Sequence, residues 1–535
     1  MRIIQSLWSG KQTDLLKHNA GWASPEYHLM SWALSCLQLT QFYDNVTLYT
    51  DSASAGMLID KLKLPYAEVV CNLDKLNKYD PGLWALAKID TYQQQEKPFL
   101  HVDGDVFIWK AFDQNLLSGD LIAQNKEAAT DYYEKIMLAL ETSLSYFPQE
   151  IIDDRNSNKL IYAFNAGILG GNDIPFFKEY TSKAFEFVER NAETLGKINL
   201  ANFNIFFEQY LFYCLAKIKK NKVSLLDNNL HDDNGYRGFG DFHEVPHNRQ
   251  YLHLLGTYKR NRRVCNQMAF TLRKYYPDYY YRIVQLFRDN QLPLVRDYYY
   301  WLPAKKDEDL LARYHLYNGE FYHTNNSTDV KNDAIFFEFP RTKILKEYFN
   351  QRRPVDHHEK AEVLIKDVTL FENSINDILT TKFAQIDKES LYQRDIICTR
   401  YIENVFGSKG TIYQRSFVAS DNIEIVDPGF DWTLLDVEAD SMTMKMEKVI
   451  ASGDEPVKLV VIPECDKTGY SLILADELDV SLLQLLAKPF SVAAILVEIA
   501  KEFDEEELKN AYADFEHLIF GRIKLALLNR LVKLI

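Results

Sequence analysis

Residues 99–109, FLHVDGDVFIW, place two carboxylates, Asp103 and Asp105, between two apolar runs. The apolar flanks predict a strand that is buried on both faces, as in a parallel sheet covered by helices. Unpaired carboxylates are costly in such a place, and neighbouring like charges repel each other. A bound cation would remove both costs. The alternative is a plain turn between two strands, because Asp-Gly-Asp is also a good turn sequence.

The first 300 residues alternate strand-like and helix-like segments. Such alternation predicts βαβ units and a largely parallel sheet, and binding sites in these sheets lie at the carboxyl ends of the strands. Asp103 and Asp105 follow one predicted strand and Asp51 follows another, which favours the cation over the plain turn. The predicted strands are 2–7, 46–49, 68–71 and 98–102, and the predicted helices are 27–39 and 83–92.

Length, charge and cysteine content limit the class of protein. A chain of 535 residues exceeds what one core usually supports, so two or three domains are expected. The formal net charge of −15 argues against general nucleic-acid binding, which needs a basic surface. The six cysteines are scattered without a CxxC pair, which is typical of a reducing compartment. Without a signal-peptide pattern or an apolar stretch long enough to span a bilayer, a cytoplasmic protein is expected.

Composition divides the chain into four predicted parts. An α/β domain over 1–305 is followed by a polar, charged and proline-marked connector over 306–355. Residues 356–455 carry mixed signals, which predict an α+β domain of unknown role. Over 456–535, a predicted hairpin precedes three short helical patterns, an arrangement typical of a small winged-helix domain. Ser491 is expected to cap the second of these helices.

Three further segments strengthen the metal interpretation of the two aspartates. The first is a strand that enters a glycine-rich turn and carries an asparagine amide, where a ligand can approach the backbone closely. The second has a helical pattern and sets a glutamate and a glutamine among aromatic residues. The third combines a histidine, a metal ligand when neutral, with a lysine suited to phosphate. In chain order these segments are FNAGILGGN at 164–172, FEQYLF at 207–212 and HLLGTYK at 253–259.

Together with VDGDV, these segments resemble the D-x-D, F-N-A-G, D-Q and H-x-x-G-x-x-K blocks of GT-A fold glycosyltransferases, and most of all the retaining, glycogenin-like and LgtC-like group. The likeness covers roughly residues 1–260 and consists of short blocks. It implies a Rossmann-like domain with a mostly parallel sheet, a nucleotide-sugar donor such as a UDP-hexose, and a Mn²⁺ or Mg²⁺ ion that bridges the diphosphate. The implied activity is that of a hexosyltransferase.

The resemblance also implies a role for each matching residue. Asp105 and His253 would be direct metal ligands, and Asp103 would hold both the metal and the ribose. Lys259 would neutralise the departing diphosphate, while Asn165 and Gln209 would contact the donor sugar near its anomeric carbon. The implied catalytic residues are Gln209, Glu208 and Lys259, and the implied donor-binding residues are Leu7, Tyr49, Asp51, Lys88, Asp103, Asn165, Gly167, Gly256 and Lys259.

The chain departs from the family pattern at three positions. Glu208 replaces the usual aspartate, Tyr210 stands where a second aspartate is frequent, and Arg260 follows the lysine in place of a proline. These departures bear on the implied retention of configuration more than on the metal site.

The C-terminal part carries a second resemblance. The L-x-x-L-L, S-V-A-x-I-L and E-I-A-x-E-F spacings over about 80 residues resemble PqqD-like domains, which hold the leader peptides of ribosomally made, modified peptides. Any small three-helix domain shows the same spacing, so a structural role stays open. The resemblance implies a precursor-peptide acceptor, modified at Ser, Thr or Cys and tethered at high effective concentration. The implied groove is formed by Leu472, Ile473, Leu474, Tyr512, Phe515 and Glu516.

Two alternatives to this interpretation stay open. The transferase could act on a cell-surface oligosaccharide, with the C-terminal part mediating only homo-oligomerisation. The chain could also be a catalytically inactive, GT-A-like scaffold that binds peptides. Neither alternative involves nucleic acid or a membrane span.

Overall fold

The computed structural model describes residues 1–128, 131–158, 160–232, 236, 238–292, 294, 340–350, 358–400, 402–406, 412–436, 442–464 and 470–535. Most of the predicted connector over 306–355 therefore lies outside the described residues, except for the helix Pro340–Asn350. The chain divides into two compact units, residues 1–259 with 264–272 and residues 260–263 with 273–535. The predicted boundaries at 305 and 355 lie outside the described residues, the one at 455 falls within the second unit, and all three stay predictions.

A seven-stranded sheet runs through the described part of the first unit, with two small sheets beside it. The strands are β1 (Arg2–Leu7), β2 (Val46–Thr50), β3 (Glu68–Cys71), β4 (Phe99–Val102), β5 (Val106–Ile108), β6 (Leu121–Ala123), β7 (Lys126–Glu127), β8 (Ala163–Phe164), β9 (Ile168–Gly171), β10 (Val223–Leu225), β11 (Leu230–His231) and β12 (Tyr251–His253). The order in the large sheet is β10-β6-β9-β4-β1-β2-β3, and β9 alone is antiparallel to its neighbours. The predicted α/β fold with a mostly parallel sheet is confirmed.

The strands of this sheet form because their apolar residues are buried on both faces. Every residue of β2 and β4 is buried. Successive residues point to opposite faces, so that Ile4 and Phe99 join one core cluster while Ile3 and Leu100 join another. Continuous apolar runs are expected where helices cover both faces of a sheet. The helices of this unit are Pro25–Phe42, Ser52–Ala55, Leu86–Gln93, Gln114–Leu117, Asp131–Glu141, Gln149–Ser157, Ile174–Glu189, Leu200–Ile205, Leu211–Ile218 and, running into the second unit, Arg262–Tyr275.

The second unit combines helices with two three-stranded sheets. Its strands are β13 (Ser416–Ala419), β14 (Glu424–Val426), β15 (Leu459–Pro463), β16 (Tyr470–Leu474), β17 (Phe490–Ser491) and β18 (Val532–Leu534). The sheet orders are β17-β13-β18 and β14-β15-β16. The helices are Pro277–Asp289, Pro340–Asn350, His358–Asp377, Lys388–Arg400, Ile402–Phe406, Met442–Ser452, Glu477–Leu485, Val492–Ile499 and Glu505–Leu528. In the described ranges of both units, no helix is long and apolar enough to cross a bilayer.

The predicted C-terminal hairpin is present, since β15 and β16 pair antiparallel. However, β15 also pairs with β14, and the hairpin residues Leu459, Val461 and Tyr470 share a core cluster with Trp432 and with the helix His358–Asp377. The hairpin therefore shares both its sheet and its core with residues that precede position 456. The winged-helix arrangement for 456–535 stays a prediction.

For the helices that follow the hairpin, one predicted cap is present and one predicted helix length is wrong. The Ser491 hydroxyl accepts a hydrogen bond from the Ala494 N–H at 3.2 Å, which confirms the predicted cap of Val492–Ile499. The third helix, which the sequence predicts to be short, is instead two helices that meet at a kink at Ala511 and together span Glu505–Leu528.

Candidate metal centre

The segment 103–105 forms the turn between β4 and β5 at the carboxyl edge of the large sheet. The Ser31 hydroxyl donates a hydrogen bond to the Gly104 carbonyl at 2.6 Å. A Cβ atom at Gly104 would lie 2.5 Å from the Trp32 indole, so a side chain has no room there. The segment is therefore a turn, and its middle glycine allows the two flanking carboxylates to be held against a packed helix.

Asp103, Asp105 and His253 come together as a candidate metal-ligand set, because one ligand atom of each lies within 4.8 Å of the others. The pairing of β12 with β5 brings His253 to this turn, where its Nε2 lies 3.5 Å from Asp105 Oδ1. The imidazole Nδ1 lies 2.7 Å from Gln124 Oε1, and the Gln124 amide nitrogen donates to Asn125. An amide oxygen can only accept, so Nδ1 carries the proton and Nε2 offers its lone pair. This is the tautomer that a metal requires.

Gly167 makes room for the imidazole of His253. A Cβ atom at this position would lie 2.2 Å from His253 Cε1 and 2.7 Å from Gln124 Oε1, which no relaxed side chain tolerates. The Gly167 N–H donates to Asn165 Oδ1 at 3.0 Å and so fixes the backbone of this segment. The glycine of the F-N-A-G block is thus a steric requirement of the histidine.

Lys259 supplies a positive charge to the ligand set, since its Nζ lies 2.5 Å from Asp105 Oδ2. Its side chain is 27% exposed, and its ammonium also lies 5.8 Å from the centre of the Trp22 ring. Burial opposes ionisation of Asp105, but the Lys259 ammonium beside it outweighs burial and holds the pKa of Asp105 well below its ordinary value. Asp105 therefore stays ionised at neutral pH.

Lys88 is buried on the other side of the aspartate turn. Its Nζ lies 2.9 Å from Asp103 Oδ2, donates to the Ala166 carbonyl at 3.1 Å and donates to the Glu208 carboxylate. Burial lowers the pKa of Lys88, but Asp103 and Glu208 more than compensate, so that the net shift is upward. All three ammonium hydrogens have protein partners, which makes Lys88 an internal counter-ion. Its predicted contact with a donor stays a prediction.

The site carries more negative charge than its lysines balance. Glu208 lies on a π-helical turn, Phe206–Tyr210, and is fully buried. Its Oε2 has no hydrogen-bond partner within the described ranges, and burial raises its pKa. Burial, together with the charges of Asp105 and Glu208, raises the pKa of Asp103 to about 7 in spite of Lys88. A divalent cation would offset the charge that these three carboxylates share.

The family described as "Family of unknown function (DUF6734)" matches residues 1–286. The chain belongs to this family. Among solved structures, mouse xyloside xylosyltransferase 1 in its apo form is similar at 12% identity and a TM-score of 0.24, over 42% of this chain and 84% of that chain. No curated protein sequence matches the chain at a significant level. The part that matches DUF6734 contains the large sheet and the candidate metal ligands.

The DUF6734 part also contains a buried carboxylate, Glu127, that sequence reasoning missed. Its Oε1 accepts hydrogen bonds from Asn165 Nδ2 at 2.8 Å and from the Tyr236 hydroxyl, and its Oε2 accepts from the Tyr133 hydroxyl at 2.5 Å. The Tyr133 hydroxyl also lies 3.4 Å from Gln209 Oε1. Glu127 thus joins two residues of the predicted sugar site. A lone glutamate on a two-residue strand matches no motif, so its role cannot be recognised from the sequence.

Asp51 lies at the end of β2, as predicted, but its carboxylate is largely occupied by hydrogen bonds from other residues of the protein. It accepts hydrogen bonds from the N–H groups of Ser9 at 2.9 Å and Ser54 at 3.0 Å, and the second of these caps the helix Ser52–Ala55. Its position ties the end of β1 to the end of β2. The proposed donor contacts of Leu7, Tyr49, Asp51 and Gly256 stay predictions.

The residues of the predicted peptide groove lie on two elements of the second unit. Leu472, Ile473 and Leu474 are on β16, which lies at the edge of its sheet in the described part of the chain, and Leu474 is 56% exposed. On the helix Glu505–Leu528, Tyr512 is exposed but Phe515 and Glu516 are buried, and Glu516 accepts a hydrogen bond from the Tyr413 hydroxyl. Phe515 and Glu516 thus take part in internal packing, and the groove stays a prediction.

Proposed function

We propose that this DUF6734 protein transfers a sugar from a nucleotide-sugar donor with the help of a divalent cation. The observation that carries the proposal is the cluster of Asp103, Asp105 and His253 with Lys259 in contact. In open α/β sheets, ligands bind outside the carboxyl ends of the strands where the strand order reverses. Here the order reverses between β1 and β4, and Asp103 directly follows β4.

The donor atoms fit a hard divalent cation. Carboxylate oxygens suit Mg²⁺ and Mn²⁺, and a single imidazole shifts the preference towards Mn²⁺. Gln124 holds His253 in the tautomer that exposes Nε2, and Gly167 leaves the space that the ring occupies. Asp103, Asp105 and His253 would hold the cation. When bound, it stabilises the negative charge that a diphosphate gains as its sugar departs.

The two lysines have different proposed roles. Lys259 is partly exposed, so its ammonium can reach a diphosphate and stabilise the charge of the leaving group. Lys88 is buried and fully hydrogen-bonded, so it orients Asp103. Glu208 is paired with Lys88 and therefore suits a positioning role better than nucleophilic attack. Asn165 and Gln209 are proposed to face the donor sugar, with Glu127 fixing the asparagine amide.

The finer parts of the proposal come from the two resemblances. The donor is proposed to be a UDP-hexose, and the transfer to retain configuration. The acceptor is proposed to be a Ser, Thr or Cys of a ribosomally made precursor peptide held by the C-terminal part. An exposed edge strand can pair with an extended peptide, and β16 with its exposed Leu474 supports this acceptor.

The proposal is tested by incubating the protein with Mn²⁺ and a panel of nucleotide sugars, with hydrolysis and thermal shift as readouts. We expect hydrolysis of a UDP-hexose that requires Mn²⁺ and is lost in Asp105→Asn. The matched control is Asp113→Asn, because the Asp113 side chain is 79% exposed in the same unit. Failure of every nucleotide sugar to bind would show an inactive scaffold. Equal hydrolysis by Asp105→Asn and wild type would exclude Asp105 as a ligand of the required cation.

The acceptor is tested by binding of synthetic leader peptides. Deletion of 456–535 would also remove β15 from its shared core, so a surface substitution is the better probe. We expect Leu474→Lys to weaken peptide binding and to leave donor hydrolysis unchanged. Val497→Lys is the control, because Val497 is 62% exposed on the helix Val492–Ile499. Equal peptide affinity of Leu474→Lys and wild type would exclude β16 as the docking edge.

A further inference from the structure

Trp84 is 44% exposed, unlike most of the other tryptophans in the described part of the chain. Single exposed apolar side chains are normal on protein surfaces, so the surroundings of this ring decide what its exposure means. By contrast, Trp8, Trp22, Trp32 and Trp432 are all at most 7% exposed.

The backbone that carries Trp84 is fixed by a buried asparagine. Asn204 is fully buried, its Oδ1 accepts from the Ala85 N–H at 3.0 Å, and its Nδ2 donates to the Gly82 carbonyl at 2.7 Å. A Cβ atom at Gly82 would lie 2.8 Å from the Leu200 side chain, so the turn packs closely on the helix Leu200–Ile205. Both polar groups of Asn204 thus hold the residues on either side of Trp84. The ring is presented from a rigid turn, which reduces the entropy lost when a ligand stacks on it.

The ring lies beside the candidate metal centre. The Lys88 Nζ is 5.8 Å from the centre of the Trp84 ring. That ammonium cannot swing away, because Asp103, Glu208 and the Ala166 carbonyl hold it. A cation over an aromatic face is attracted by the ring quadrupole, which fixes the ring as well. One lysine side chain therefore separates the exposed ring from the aspartate turn.

We propose that Trp84 is the stacking platform for the sugar ring of the nucleotide-sugar donor. This inference rests on the proposed function. Ligand pockets combine aromatic surface with a few well-placed polar groups, and a sugar offers an apolar C–H face beside its hydroxyls. Trp84 provides a flat apolar surface that one lysine side chain separates from the partly exposed Asp103 carboxylate, which can accept hydrogen bonds from hydroxyls. A nucleobase would also stack on such a ring, so the test has to separate the sugar from the nucleotide.

The experiment compares the affinities of UDP and of UDP-glucose, UDP-galactose and UDP-N-acetylglucosamine in the presence of Mn²⁺, by calorimetric titration of the full chain. We expect Trp84→Ala to bind the preferred UDP-sugar about tenfold more weakly than wild type and to bind UDP with unchanged affinity, since aromatic stacking contributes on this scale. Trp84→Phe should recover most of the loss. Ile218→Ala is the control, because Ile218 is 50% exposed at the end of the helix Leu211–Ile218.

The outcomes separate this inference from the proposed function. An equal loss for UDP and for the UDP-sugar in Trp84→Ala would place the nucleotide on the ring and overturn the inference. Unchanged affinity for both ligands would overturn it as well. Unchanged UDP binding also shows that the variant is folded. If the wild-type protein binds no nucleotide sugar at all, the proposed function fails, and the sugar platform fails with it.

Discussion

Gly167→Ala tests the candidate metal centre through a single methyl group. The added Cβ would lie 2.2 Å from His253 Cε1 and 2.5 Å from its Nδ1, whereas ordinary van der Waals contacts begin at 3.4 Å. The imidazole would have to move by about 1 Å, because packed interiors have no free volume to absorb the overlap. Such a shift displaces the His253 nitrogen relative to the two aspartates and strains its hydrogen bond to Gln124.

We expect the Mn²⁺ affinity of Gly167→Ala to fall by about tenfold to a hundredfold, the scale seen when the partners of metal ligands are changed. The unfolding free energy should fall by about 1–3 kcal/mol, as for other overpacked sites. Free Mn²⁺ is measured by electron paramagnetic resonance during titration of the protein, and unfolding is followed by urea melts without metal.

Gly196→Ala is the matched control for this substitution. Apart from its chain neighbours, no described residue has an atom within 4 Å of the Cβ position at Gly196, so Mn²⁺ affinity should equal that of wild type. If Gly167→Ala is destabilised but binds Mn²⁺ as tightly as wild type, the imidazole is not a ligand. The assignment of His253 would then be wrong, while the packing argument would stand.

Three further predictions concern buried polar groups. Gln124→Leu should weaken Mn²⁺ binding about tenfold in the same titration, because His253 loses the partner that fixes its tautomer. Lys88→Met should lower the unfolding free energy by about 3–5 kcal/mol in urea melts at pH 8, since Asp103 and Glu208 lose their counter-ion. The loss should be smaller at pH 5, because both carboxyls have raised pKa values and take up protons. Burial raises the pKa of Glu372 from 4.5 to about 7, so between these two pH values the native state keeps a proton that the unfolded chain releases. The unfolding free energy should therefore fall by up to about 3 kcal/mol as the pH rises from 4.5 to 7. Glu372→Gln should reduce this dependence of the unfolding free energy on pH, as measured in melts at pH 5 and pH 8.

The strands of the sheet could be predicted because the sequence pattern that indicates a strand is local. The runs 2–7 and 68–71 are strands with the predicted ends, and the predicted strand 46–49 is longer by one residue. The helix predicted over 27–39 begins earlier, at Pro25, because proline is favoured in the first helical turn. Apolar runs bounded by polar residues are enough to fix such elements, whatever they pack against.

Contacts between segments that are distant in the chain could not be predicted from the sequence in the same way. Glu127 meets Asn165 because β7 pairs with β8, which lies far along the chain, and no spacing rule connects the two residues. Lys88 matched a basic position of the resemblance, but its full set of protein partners depends on three separate segments. The residue types of the site were visible in the sequence, whereas their mutual hydrogen bonds arise only from the tertiary fold.

The pairing of β14 with β15 sets a rule for dissecting this protein. A fragment that ends at residue 455 leaves Glu424–Val426 without a neighbour and uncovers Trp432, while the complementary fragment loses the helix that shields Tyr470. Chimeras that exchange the tail between related chains should therefore join ahead of the helix Pro340–Asn350, where neither sheet of this unit is cut and the core cluster around Trp432 stays in one piece.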